Sequence, residues 1–216
     1  MRRGDISEAV ARERADLARD LASIDDARWD EPSLCDEWRV RDVVGHLLYL
    51  ETAYTQPIRF GFDTARHGFS LNRALAETAR ARASGRTPRE LTEALAATRY
   101  EEHFSYRVHP RPAMTLGEIV IHGQDIRRPL GLTHAFDTEV LGMVADVLNI
   151  RSYPWGRTHR VRGVRLEAMD VDWSAGDGPV VRGSLEAIVM VLAGRRSAAS
   201  DLDGEGVAVL HAADRP

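Results

Sequence analysis

Apolar residues recur through the first 150 positions at intervals of three and four, the period of helices that each bury one face. Ile6, Val10, Leu17, Leu21 and Ile24 mark an amphipathic helix over 5–27. Pro32 and a cluster of capping-type residues then interrupt the pattern. Val40, Val43, Val44, Leu47 and Leu48 form the stripe of a second helix over 39–54. His46 sits three residues after Val43 and four before Leu50, so it lies on or beside the buried face. Gly61 and Gly68 mark a connection, followed by a weak helix around 70–83. Thr87, Pro88 and Glu90 combine a capping box with proline at the first helical position, opening a helix to about Tyr100. His109-Pro110 and Arg111-Pro112 make 103–112 a loop. Thr115 and Glu118 repeat the capping-box spacing at the head of a helix to about Arg128, which Pro129 stops. Asp137 caps one more helix, to about Ile150.

The pattern changes near Tyr153-Pro154-Trp155-Gly156. Residues 161–169 alternate like a strand, 174–179 are dense in turn residues, and Val180-Val181 begin a return strand. An apolar helix over 184–193 ends at Gly194, and 207–210 read as a short last strand. The fold class expected is therefore mainly α: an antiparallel helical bundle over 1–152, then a small α+β domain over 153–216. The second part is too small to bury a sizeable core alone.

Composition removes several functions. At 44% hydrophobic and 29% charged, the chain is an ordinary globular one. No apolar run approaches the ~18 residues of a membrane span, and the basic opening residues lack the apolar stretch of a signal peptide. A net charge of −4 without a basic block argues against nucleic acid. Cys35 is the single cysteine, so no internal disulfide forms, and a cytoplasmic location is expected. All 29 basic residues are arginine, which removes phosphate-loop and Schiff-base lysine chemistry.

Glu118 and His122 are four apart and project from one helix face. Such a pair presents a carboxylate oxygen and an imidazole nitrogen to one ion, and His46 is the best third ligand. Two histidines and a glutamate form a known catalytic zinc set that leaves a position open. Plainer readings stand beside this one. A histidine on an apolar face such as His46 is, taken alone, more often a hydrogen-bonded core residue than a ligand, and Glu118 also reads as the closing residue of a capping box. Asp125, three past His122, is a further ligand, a partner orienting His122, a substrate contact or a solvated acid. Cys35 reads as a small buried turn residue rather than an activated thiol. His103 and His109 read as solvated loop residues.

The stretch WRVRDVVGHL (38–47), preceded by PSLC (32–35), resembles the opening signature of the mycothiol-dependent maleylpyruvate isomerase family. GEIVIHGQD (117–125) resembles its second signature. The resemblance implies a DinB-like antiparallel four-helix bundle with His46, Glu118 and His122 as zinc ligands. It places on Asp125 an aspartate implicated in activity. VRG (181–183) and LAGR (192–195) resemble the small C-terminal domain of some members, whose active-site arginine would be Arg195. Arg39 stands where the family often has a capping threonine or serine, which weakens that helix start. The function implied is a metal-dependent enzyme using mycothiol or a similar thiol. It would isomerise or S-conjugate a small electrophile whose carboxylate Arg127 or Arg195 holds. Zinc is the expected ion, with nickel or iron as alternatives, and the chain is expected as a monomer or homodimer. The rival readings are a metal-dependent hydrolase needing no thiol and a non-catalytic metal- or ligand-binding regulatory module.

Overall fold

The computed structural model describes residues 1–68, 70–99, 112–149 and 163–212. Contacts divide the chain into two compact units, Arg2–His134 and Ala135–Pro216.

In the first unit, α1 (Arg3–Ala22) buries Ile6, Ala9, Val10, Leu17, Ala18 and Leu21 along one face, as their spacing requires. It packs against α5 (Pro88–Ala97) and α6 (Pro112–Arg127). The second helix, α2 (Val40–Thr55), packs against α4 (Leu71–Ala83), α5 and α6. The weak start expected of α2 is repaired from inside the helix. The buried Asp42 accepts from the Arg39 backbone N–H at 3.1 Å and from the Arg39 guanidinium at 3.0 and 3.2 Å. A carboxylate there satisfies a free N–H and faces the positive end of the helix. The capping box that starts α5 is present, with Thr87 N–H to Glu90 at 2.7 Å and Glu90 N–H to the Thr87 hydroxyl at 3.2 Å.

In this unit, two features differ from the sequence expectation. The connection around Gly61 contains a helix, α3 (Pro57–Arg66), with Pro57 at its first position and Tyr49 on α2 donating to Asp63 at 2.8 Å. Its large apolar residues Ile58 and Phe62 are exposed, so no buried stripe announces it. Helix α6 starts at Pro112, not near Thr115. Thr115 is fully buried within the helix, and Glu118 lies in its second turn. The 115–118 capping box is therefore corrected, and Glu118 is released from that role.

Helices α2 and α4 meet at Gly45, where a Cβ would overlap the Ala79 carbonyl oxygen. The neighbour is backbone, so it cannot swing aside. Gly45→Ala should lower stability by about 1–3 kcal/mol, as overpacking does. A fall in the urea midpoint without a change in slope would show it.

In the second unit, Asp137 accepts from the Glu139 backbone N–H at 2.8 Å at the start of α7 (Thr138–Asn149). This helix packs on α8 (Leu185–Leu192), so the compact unit begins ahead of the change in sequence character at 152/153. Strand β1 (Arg165–Ala168) is central. Strand β2 (Ser174–Ala175) pairs with it antiparallel, Leu166 opposite Ala175. Strand β3 (Val180–Gly183) pairs with it parallel, Leu166 opposite Val181. The Ser184 hydroxyl caps α8, and Gly194 at φ +85° ends it. The last strand expected at 207–210 is instead helical, α9 (Val207–Ala212). The extended pairing falls earlier, at Asp203 opposite Arg182, and the chain turns between Gly204 and Gly206. A four-residue apolar run does not distinguish strand from helix.

Candidate metal centre

His46 is held inward by the stripe that makes α2 amphipathic and is only 4% exposed. Glu118 and His122 face it from successive turns of α6. Glu118 Oε2 lies 3.4 Å from His46 Nε2 and 3.3 Å from His122 Nε2. One ligand atom from each residue falls within 4.8 Å of the others. Ligands bonded to zinc at ~2.0–2.1 Å in a tetrahedron stand about 3.3–3.4 Å apart, so both spacings fit donors around one ion. The donor set also fits, with two imidazoles and a carboxylate, and the indole of Trp38 lies against both rings. Its centroid is 5.3 Å from that of His46 and 6.5 Å from that of His122.

Asp125, on the same helix and fully buried, has Oδ2 2.8 Å from His122 Nδ1. Of the four roles open to it in sequence, the geometry matches the partner that orients His122. The Cys35 thiol donates to the same oxygen at 3.0 Å and lies 3.7 Å from His122 Nδ1. Cys35 therefore adjoins the site rather than merely filling a turn. Sequence reasoning gave it little weight and overlooked Trp38, although both stand in the stretch that carries the resemblance.

Charge follows geometry. Burial alone would raise the Glu118 carboxyl, but hydrogen bonds and charge from His122 and His46 hold it well below the usual carboxylate range. Burial lowers His46 against the pull of Glu118, which favours the neutral ring that binds metals. Burial also opposes protonation of His122. Interactions with Asp125, Cys35 and Glu118 together outweigh it and hold His122 well above an ordinary histidine. An ion entering between Glu118 and His122 must then displace the proton on His122 Nε2. Calorimetric titration with zinc at neutral pH, in buffers of different ionisation enthalpy, should read about one proton released per ion. Affinity should fall as pH falls, by about tenfold per unit once His122 is protonated.

Arg127, Arg195, His103 and His109 are the other residues singled out in sequence. Arg127 is 1% exposed, and its Nε donates to Asp20 on α1 at 2.6 Å, so it braces two helices and is not available to a substrate. Arg195 belongs to the second unit, where it follows α8 and donates to the Ala193 carbonyl at 2.8 Å. His103 and His109 lie outside the described residues.

No helix among the described residues is long and apolar enough to cross a membrane. A family model described as the mycothiol maleylpyruvate isomerase N-terminal domain matches residues 10–127, more than half of the chain. No curated protein matches it. A crystal structure of a histidine-to-alanine mutant of the mycothiol-dependent maleylpyruvate isomerase and a crystal structure of that isomerase share its fold. Their TM-scores are 0.66 for the latter and 0.68 for the mutant, over 100% of this chain and 95% of each of theirs, at 17% and 16% identity. The signatures around His46 and His122 both fall inside the matched region, and the protein belongs to the mycothiol maleylpyruvate isomerase N-terminal domain family.

Proposed function

We propose that the protein is a metal-dependent enzyme that uses a low-molecular-weight thiol, mycothiol or a close analogue, on a small electrophilic substrate. The observation that carries this reading is the convergence of His46, Glu118 and His122 at spacings suited to one divalent ion, zinc above nickel or iron. Three protein ligands leave a coordination position for the thiol, and a bound zinc would favour its thiolate form.

The chain's own residues supply the rest. Glu118 stays ionised and brings the one negative charge of the ligand set. Asp125 fixes the His122 ring with Nε2 towards the ion. Trp38 covers one side of the two imidazoles and keeps bulk water from them. Arg195 is the residue we assign to a substrate carboxylate, on the resemblance of 192–195 to the family's small domain. The reaction class is addition of a thiol sulfur to an electron-poor carbon–carbon double bond. Rotation and release of the thiol give cis–trans isomerisation, whereas protonation of the adduct gives an S-conjugate.

Zinc-loaded protein mixed with mycothiol and a panel of unsaturated dicarboxylates tests the proposal, with free thiol and substrate geometry followed together. Isomerisation leaves the thiol concentration unchanged, and conjugation consumes it mole for mole. Turnover of an ester or amide without thiol would favour the hydrolase. No turnover with any thiol would contradict the proposal.

A further inference from the structure

The segment from Ser33 to Trp38 is tied to α6 at one residue. The Leu34 backbone N–H donates to the Asp125 carbonyl at 3.0 Å, and the Cys35 thiol donates to the Asp125 carboxylate at 3.0 Å. The segment is also pinned on itself. Cys35 N–H donates to the Ser33 hydroxyl at 3.1 Å, and that hydroxyl donates to the Trp38 carbonyl at 2.9 Å. Trp38 N–H donates to the Cys35 carbonyl at 3.1 Å, and Glu37 between them has φ +63°, a conformation non-glycine residues seldom adopt. These bonds fix where the thiol points.

Cys35, His122 and Asp125 are themselves close enough to be weighed as a metal-binding group. Their spacings argue otherwise. Asp125 Oδ2 stands 2.8 Å from His122 Nδ1 and 3.0 Å from the sulfur. Both are hydrogen-bond lengths, and both fall short of the about 3.3 Å or more that separates ligands around one zinc. The sulfur is a donor to the carboxylate that orients a ligand.

We infer that Cys35 is a positioning residue for the metal centre: its thiol holds Asp125 Oδ2, and through it the ring of His122, in the orientation that presents Nε2 to the ion. The inference rests on the proposed metal site. It adds a residue two hydrogen bonds away from the ion, on a different segment from the ligands. A carboxylate bonded to a ligating histidine sets that ring's direction and basicity, so losing the thiol's hydrogen bond to that carboxylate loosens the ligand.

The test compares wild type, Cys35→Ala, Cys35→Val and Cys35→Ser in the full chain. Zinc affinity is read by competition with a chelating indicator, and the site by cobalt(II) absorption. Cys35→Ala should weaken zinc by about tenfold, the lower end of the ~10–100-fold known for partners of metal ligands. Cys35→Val should do the same without opening space. Cys35→Ser keeps a donor and should stay within about twofold of wild type. The visible cobalt bands should shift in Cys35→Ala and Cys35→Val but not in Cys35→Ser. In an Asp125→Ala background, Cys35→Ala should have little further effect on zinc affinity. Equal affinity in all four proteins, or equal loss in Cys35→Ser and Cys35→Ala, would overturn the inference. So would an intense near-ultraviolet thiolate-to-cobalt band in wild type that Cys35→Ala abolishes, because Cys35 would then be a ligand. Should wild type bind neither zinc nor cobalt, the metal reading itself fails, visibly before any variant is compared, and the inference fails with it.

Discussion

His46→Ala and His122→Ala should each weaken zinc binding on the order of a hundredfold or more. Structural zinc sites with four protein ligands bind with ~10–16 kcal/mol, so each ligand carries about 3 kcal/mol, and each 1.4 kcal/mol is about tenfold in affinity. In a three-ligand site the share of each is at least as large. The two variants should differ in the unloaded protein. His46 is buried, and its Nδ1 lacks a hydrogen-bond partner among the described residues. Removing that ring takes one partner, at 3.4 Å, from Glu118 and otherwise costs packing. Removing His122 takes a partner from both Glu118 and Asp125 and leaves two carboxylates facing each other across the gap. His122→Ala should therefore lower the melting temperature of the metal-free protein more than His46→Ala does. Competition titration and calorimetric melting of both variants, with and without zinc, read both effects.

Asp20→Ala should have the largest effect on stability, about 3 kcal/mol, the lower end of the ~3–5 kcal/mol for breaking a buried ion pair by removing one partner. Arg127 is 1% exposed and bonded to Asp20 at 2.6 Å, and its Nη2 has no partner among the described residues. Without Asp20, a buried guanidinium loses its anion. Two observations keep the estimate at the lower end. Asp20 itself is 26% exposed, so water can reach the vacated place. The buried Glu13 also feels the charge of Arg127 and offsets part of it. A typical domain has only ~5–15 kcal/mol in hand, so the loss should be plain in urea unfolding. Replacing both partners, Asp20→Leu with Arg127→Met, should recover much of it, because the charge that needed an anion is gone. A double variant no more stable than Asp20→Ala would show that the pair contributes shape rather than charge balance.

What could be read from the sequence depended on whether a signal was local. The stripe of Val43, Val44 and Leu47 announces α2 and turns His46 inward, and the four-residue spacing of Glu118 and His122 puts both on one face. The same local rules misled where two structures share one pattern. Thr115 and Glu118 have the spacing of a capping box, yet Pro112 starts the helix a turn earlier and Thr115 is buried within it. Gly61 reads as a break because Ile58 and Phe62 of α3 face outward and leave no buried stripe. The run Val207–Leu210 suits a strand or a helix equally, and two glycines before it decided the matter. Contacts between distant segments were not legible at all. Nothing near Cys35 in the chain points to Asp125, 90 positions away. Likewise, nothing near Arg127 in the chain points to its partner Asp20 on α1, 107 positions earlier.

The most direct test of the account is anomalous diffraction at the zinc edge from crystals of the zinc-loaded protein. The account predicts one strong peak bonded at ~2.0–2.1 Å to His46 Nε2, a Glu118 oxygen and His122 Nε2, with a fourth position not taken by protein. A peak bonded instead to Cys35 and Asp125, or none at these residues in protein soaked with zinc, would contradict it.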